Sequence, residues 1–390
     1  MICLIPNIGS TSFKYRLVDI LDNERVLAHG RVERIGQPGG QCADCTAAIE
    51  ETLVEIAGKE KAIASLDRIE AVGFKVVHAG PMNATQIIDD AFLAAMGEYS
   101  FFAAAHNPAY IAAIKAFRRV LPGIPLVAVI ETAPYRLLKE PATTYAVPYA
   151  WREEYGIRRY GFHGASHRSA NQSVTELMHS GGVRHISCHL GGSSSVAAFA
   201  DGVAVDTSFG TSPQSGLPQS NRVGDIDAFA VLYMMKKLNL DPDRMAAILS
   251  RESGLAGICG GNGDIRDIED DAQRGDNRAQ LALDVFVRAI RHYLGAFMVS
   301  LGGVDAISFS GGIGENSATV RSAALRDMTA FGIELDEVSN CALRGEGTIS
   351  TEASRVRVMV IPANEEAIIA RETVAAVLRA RAAVAIGARA

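Results

Sequence analysis

Asn7-Ile8-Gly9-Ser10-Thr11-Ser12 sets an amide, a glycine and three consecutive hydroxyls between two apolar stretches. Such a turn offers backbone N–H groups and hydroxyls to an anion, and the Asn7 side chain adds a neutral oxygen for a hydrated metal ion. An ordinary hairpin loop rich in turn formers has the same composition. A second copy separates the two readings. Far along the chain, His189-Leu190-Gly191-Gly192-Ser193-Ser194 repeats the order polar, apolar, glycine, hydroxyl. Two phosphate-type loops in two halves point to a duplicated fold that holds a nucleotide.

Other groups capable of chemistry are spread along the chain. Lys75 is a cation inside the apolar run Ala71 to Val77, and reads either as a snorkelling lysine or as a ligand for a carboxylate or phosphate. Glu131 ends the apolar run Leu126 to Ile130, where open α/β sheets place ligand-binding groups; capping of the next turn explains it equally well. His163 and His167 have the spacing of a metal pair without a glutamate after His163 or a third ligand, so His163 reads as a donor to a phosphoryl oxygen. Arg222, among small residues, is either a clamp for a transferring phosphoryl group or the partner of Asp225. Cys42 and Cys45 open a helical stretch whose N-terminus lowers thiol pKa values, but no second pair accompanies them for a metal.

These groups need strands and helices to hold them. Ile2 to Ile5 is a continuous apolar run suited to a sheet buried on both faces, and Phe13, Tyr15 and Leu17 alternate with polar residues. Strands are expected at Val26 to Val32, Ile69 to Val77, Leu126 to Ile130, Ile186 to Cys188, Ala306 to Phe309 and Val356 to Ile361. Helices are expected at Thr46 to Ala57, from Asn107 through Ile111, Ile114 and Phe117, from Gly164, and over about Ala279 to Leu301. The glycine-rich turn Gly260 to Asp267 enters a helix, and the strand, glycine turn and helix start at Ser310 to Ser317 make a nucleotide-binding shape, although neither the Rossmann nor the Walker A pattern is met. Asn364 reads as an N-cap for the last helix, with Glu365 and Glu366 in its first turn.

A chain of 390 residues exceeds one usual core and divides into two domains. Charged residues make up 21% and the net charge is −6, which gives no electrostatic pull towards nucleic acid or membrane. Arg371, Glu372, Arg379 and Arg381 interrupt the alanine-rich tail, and no basic flank with a long apolar stretch opens the chain. A cytoplasmic location is expected.

Tyr160-Gly161-Phe162-His163-Gly164, Cys188-His189-Leu190-Gly191, Gly312-Ile313-Gly314-Glu315-Asn316-Ser317 and Ile361-Pro362-Ala363-Asn364-Glu365-Glu366 together resemble the acetate kinase family of the actin, Hsp70 and sugar-kinase superfamily. The resemblance implies an α/β chain of two duplicated ribonuclease H-like, actin-like domains with an interdomain active-site cleft. The first would span residues 1–148, with a C-terminal helix of about 363–390 packing back on it, and the second residues 149–362. It implies transfer of a phosphoryl group from ATP to a short carboxylate, acetate foremost, by a homodimer. Asn7 and Glu365 would hold Mg²⁺ or Mn²⁺ through water. Ser10, Ser12, Lys14, His189, Gly191 and Gly192 would receive the phosphates. His163 and Arg222 would stabilise the transferring group, with Glu131 orienting the metal. Asp264, Ile265, Arg266, Gly312, Ile313, Gly314, Glu315 and Asn316 would line the adenosine pocket, and Lys75, Val77, Ala105, Phe162 and Pro213 the acyl site.

Three positions depart from the family pattern. Lys75 stands for an arginine, Glu131 for an aspartate, and Gly192 for the asparagine of His-Leu-Gly-Asn-Gly-Ser-Ser. Ala105 replaces a larger residue, which would admit a longer acyl chain. A propionate or butyrate kinase, a kinase of a hydroxyl acceptor, and a nucleotide-binding regulator that has lost transfer therefore stand as rivals.

Overall fold

The computed structural model describes residues 1–9, 12–179 and 181–387, so Ser10 lies outside the described residues. The chain divides into two compact units, Met1–Arg136 with 364–390, and Leu137–Ala363. In the first, β1 (Ile2–Ile8), β2 (Ser12–Asp19), β3 (Arg25–Glu33), β4 (Ala71–Val76), β5 (Gln86–Ile87) and β6 (Leu126–Ile130) form a sheet in the order β3-β2-β1-β4-β6-β5. In the second, β7 (Arg184–His189), β8 (Ser195–Ala200), β9 (Val203–Thr207), β10 (Ala306–Ser310), β11 (Gly347–Thr348) and β12 (Arg357–Val360) form a sheet in the order β11-β12-β10-β7-β8-β9.

The two sheets share one connectivity. Each begins with three antiparallel strands, adds two parallel ones, and ends in a two-residue antiparallel edge strand. This is the ribonuclease H-like, actin-type arrangement, present twice, as the repeated loops imply. Burial follows from position in the sheet. All of β6 and all of β10 are buried, as parallel central strands covered on both faces must be, whereas β3 at an edge is largely open. Edge strands of two residues leave little backbone for stray pairing.

The first core gathers Leu4, Phe13, Leu17, Val72, Phe74, Ile114 and Phe117; the second gathers Ile186, Val196, Phe286, Ile290, Ile307, Phe309 and Val358. Each such side chain contributes about 1.5–3 kcal/mol by leaving water. The helix Asn107–Val120 turns Tyr110, Ala113, Ile114 and Phe117 inward, and Ile111, expected on that face, is only half-buried.

The last helix, Glu365–Gly387, packs on the first sheet, and Asn364 caps it by accepting from the Ala367 N–H at 3.2 Å. Its buried Thr373 explains a glycine inside β4. A Cβ on Gly73 would come 2.1 Å from Thr373 Oγ1 and 3.1 Å from Ile5 Cδ1. Close docking of this helix is what carries Glu365 to the end of β4 that bears Lys75.

Candidate active site

In the second unit the parallel strands β7 and β10 run side by side, and their C-terminal ends bear His189 and the turns that begin at Leu190 and Gly311. Beyond β10 the chain enters the short helix Gly311–Asn316 through Gly311, whose φ of 77° is left-handed. A Cβ there would meet the Leu190 carbonyl oxygen at 2.6 Å, so only glycine fits. That same carbonyl accepts from the Ile313 and Gly314 N–H groups at 2.8 and 3.0 Å, which ties the two turns together.

Beside the turns lies a cavity of about 860 Å³, within the range that holds a nucleotide. Gly191, Gly192, Asp264, Ile265, Arg266, Gly312, Ile313 and Asn316 line it, as do Ser220, Asn262, Glu269 and Ser317, which the sequence reading missed. Asn262 belongs to the glycine-rich turn already singled out; Ser220 and Glu269 carry no sequence signal. Gly314 and Glu315 serve the turn itself, since Gly314 abuts Phe309 and a Glu315 carboxylate oxygen accepts from the Gly311 N–H at 2.9 Å. The Arg266 guanidinium holds the Asp264 carboxyl down to about 2.

His163 stands at the left-handed φ of 55° just before the helix Gly164–Met178, a strained position for a non-glycine residue. Its Nδ1 lies 2.8 Å from Ser195 Oγ, and its ring centre is 4.4 Å from that of His189. Arg222 Nη1 donates to Ser193 Oγ at 3.2 Å, Gln219 Oε1 at 3.3 Å and the Pro213 carbonyl at 3.4 Å. All three acceptors are neutral. Asp225 instead accepts from the Gly216 N–H and from Tyr293, so an Arg222–Asp225 ion pair is not formed. Burial lowers the Arg222 pKa from its ordinary value, as expected of a cation without an anion. Phe162 is buried edge-on against Phe209 and forms a wall, and the buried Pro213 serves Arg222 through its carbonyl. His167 is wholly buried between Ser187 and Ser195, so it is no metal ligand.

In the first unit Lys75 Nζ donates to Glu365 Oε2 at 2.7 Å. Burial works to lower the lysine's pKa, but the carboxylates of Glu131 and Glu365 outweigh it and raise it. Tyr110, unread from sequence, belongs to the same cluster: its buried hydroxyl accepts from the Ile8 N–H at 3.3 Å, and Lys75, Glu131 and Glu365 all act on it. The hydroxyl thus anchors the strand end that bears Asn7. Asn7 and Lys14 are opposite each other across β1 and β2 and both are exposed. Gly9 N–H donates to the Ser12 carbonyl at 2.8 Å, closing the first turn. Val77 is half-buried after β4, and Ala105 is exposed ahead of the helix Asn107–Val120.

The reactive-thiol reading fails. Cys42 is buried and its thiol donates to Glu51, and burial with that neighbouring carboxylate pushes its pKa up to about 11; burial raises Cys45 as well.

A family profile described as the acetokinase family matches residues 2–371. The chain belongs to that family. It is 42% identical to the acetate kinase of Shouchella clausii over 386 residues, covering 94% of this chain and 97% of the relative. The crystal structure of Porphyromonas gingivalis acetate kinase superposes with a TM-score of 0.87 at 35% identity, over 96% of this chain and 99% of that one. A propionate kinase from Francisella tularensis gives 0.86 at 30% identity, over 95% and 98%. The family is one of phosphotransferases with a carboxyl group as acceptor.

Family membership implies a divalent metal. Among the described residues no three His, Cys, Asp or Glu side chains form a ready-made metal cluster. The oxygens of Asn7, Glu131 and Glu365 nonetheless suit a hard cation that keeps several waters and leans on the phosphates of its nucleotide. The residues present fit the group.

Near the start of β7, His185 donates from Nδ1 to Asn171 Oδ1 at 3.0 Å and accepts at Nε2 from Ser308 at 2.8 Å. Burial takes its pKa from 6.5 down to about 3. Between those values the unfolded chain binds a proton that the folded chain refuses, so the stabilisation is full above the upper value and is lost as pH falls through the window. Urea unfolding at a series of pH values from about 7 to about 4 should therefore show a flatter loss of stability in His185→Gln than in the parent. Equal slopes would contradict the assignment.

Proposed function

We propose that the chain phosphorylates acetate with ATP, giving acetyl phosphate and ADP by direct in-line transfer. The observation that carries the mechanism is Arg222, a half-buried cation whose hydrogen-bond partners are all neutral oxygens. Such a group retains its charge for an arriving anion.

A carboxylic acid with a pKa near roughly 4 is already ionised at neutral pH, so no general base is needed. One carboxylate oxygen forms a bond to the γ-phosphorus while the bond to the β–γ bridging oxygen breaks, and ADP leaves with that electron pair. Arg222 and His163 contact the equatorial oxygens of the transferring group, where charge is spread in the transition state. His189, Gly191 and Gly192, with Ser10, Ser12 and Lys14, receive the phosphates, and the cavity lined by Asp264, Arg266 and Asn316 takes the adenosine. Lys75 spends one of its three donors on Glu365 and keeps others for the substrate carboxylate. Asn7 and Glu365, with Glu131 orienting, would hold the divalent metal, which when bound would supply positive charge to offset that of the nucleotide phosphates.

The small, exposed Ala105 and the likeness to a propionate kinase support propionate as a second substrate. We also propose a homodimer. No residue of the helix Ala228–Leu238 is buried, and Phe229 (79% exposed), Leu232 and Tyr233 face outward from it, a surface suited to a second copy. ATP as co-substrate goes with a cytoplasmic location; among the described residues no helix is long and apolar enough to cross a membrane.

Incubation with MgATP, hydroxylamine and formate, acetate, propionate or butyrate should give hydroxamate with acetate most rapidly and propionate next. Release of ADP without hydroxamate from any acid would sink the carboxylate assignment. Arg222→Ala should lower kcat on the order of 10²–10³-fold, the usual effect of losing one transition-state donor, while ATP affinity by calorimetry stays within about threefold. Undiminished turnover in that variant would remove Arg222 from the mechanism.

A further inference from the structure

Behind His163 runs a line of buried polar groups that the reaction itself does not use. Ser187 Oγ lies 2.8 Å from His167 Nδ1, His167 Nε2 lies 2.8 Å from Ser195 Oγ, and Ser195 Oγ lies 2.8 Å from His163 Nδ1. Ser187, His167 and Ser195 are all fully buried. The line has two self-consistent directions. If His163 Nδ1 carries the proton and donates to Ser195, then Ser195 donates to His167, and His167 donates to Ser187. Ser187 then has a buried O–H with no acceptor, because among the described residues its hydroxyl has no hydrogen-bond partner but His167. In the opposite direction every donor finds an acceptor. Ser187 donates to His167 Nδ1, His167 Nε2–H donates to Ser195, and Ser195 donates to His163 Nδ1.

The second imidazole repeats the device. The buried Ser166 hydroxyl lies 2.6 Å from His189 Nδ1 and has no other hydrogen-bond partner among the described residues, so it is satisfied only by donating there. In both rings Nδ1 accepts, and Nε2 carries the proton.

We infer that Ser187, His167 and Ser195 are positioning residues that lock His163 as its Nε2–H tautomer, with Ser166 doing the same for His189. Two neutral imidazoles thereby offer N–H donors to the transferring phosphoryl group. The catalytic half of this inference rests on the function proposed above; the tautomers do not. Two supporting facts stand apart from the hydrogen-bond count. Ring centres 4.4 Å apart disfavour charging both imidazoles. Burial, helped by His189 and His185, pushes the His167 pKa well down, so the middle of the line is neutral and has one proton to place. Positive charge at this site is thus left to Arg222, and the imidazoles supply direction.

The test is ¹⁵N NMR of the full chain with labelled histidine near pH 7, the His163 and His189 signals being assigned from His163→Asn and His189→Asn. Both rings should appear as neutral Nε2–H tautomers. A dominant Nδ1–H tautomer or an imidazolium at His163 would overturn the inference, and needs no further variant. Ser195→Ala should then leave His163 as a mixture of tautomers and lower kcat on the order of 10- to 100-fold, with the KM values for ATP and acid within about twofold. Ser195→Thr should restore most of that loss. Parent-like kcat in Ser195→Ala would overturn the positioning role. A parent that shows the expected tautomers yet makes no acyl phosphate would uphold the lock and overturn the function it is said to serve.

Discussion

Two anions must be brought together by a chain that is itself anionic. A triphosphate and a carboxylate repel each other, and a net charge of −6 adds nothing to draw them in. In the mechanism proposed above the work falls to a few cations held where they stay available. Arg222 achieves this by neutral company: a hydroxyl, an amide oxygen and a carbonyl hold its guanidinium without cancelling its charge. Lys75 is arranged differently. Its ammonium is kept charged by the carboxylates of Glu131 and Glu365.

Both arrangements depend on the same property of the fold. In each sheet the parallel strands deliver their C-terminal ends to one edge, so side chains distant in sequence become neighbours. Asn7 and Lys75 lie near the C-terminal ends of β1 and β4 and Glu131 follows β6, while His189 ends β7 and Gly311 follows β10. Small residues set how closely these parts approach. Gly73 lets the last helix settle with Glu365 beside Lys75, and Gly311 lets one turn pass under the Leu190 carbonyl. A methyl group at either place would collide with its neighbour before any reacting group was disturbed.

Much of this was legible in the sequence because it is periodic or local. The β6 strand lies over Leu126–Ile130 as read, the long helix Asn277–Ser300 lies within two residues of its expected start and one of its expected end, and the duplicated loops announce the duplicated sheets. The glycine-rich turns that line the cavity could be read for the same reason. Tyr110, Ser187 and Ser195 could not. They act through partners 102, 20 and 28 or 32 positions away, from ordinary strand and helix positions whose types carry no signal of their own. At Cys42 and Cys45 the spacing is suggestive but lacks a second pair, and burial with Glu51 at Cys42 makes the thiols inert. That Arg222 makes no ion pair with Asp225 likewise needed the structure, since Asp225 is close in sequence yet engaged elsewhere.

The account turns on the carboxylate oxygen itself attacking phosphorus. ¹⁸O-labelled acetate, MgATP and hydroxylamine can be combined with the protein and the released phosphate examined by mass spectrometry. Hydroxylamine cleaves an acyl phosphate at the carbonyl carbon, so an oxygen that joined carbon to phosphorus leaves with the phosphate. One ¹⁸O atom per phosphate is the expected result. Unlabelled phosphate, formed at the rate of ADP, would show that water is the acceptor, and ADP without phosphate that another hydroxyl is; either would contradict the account.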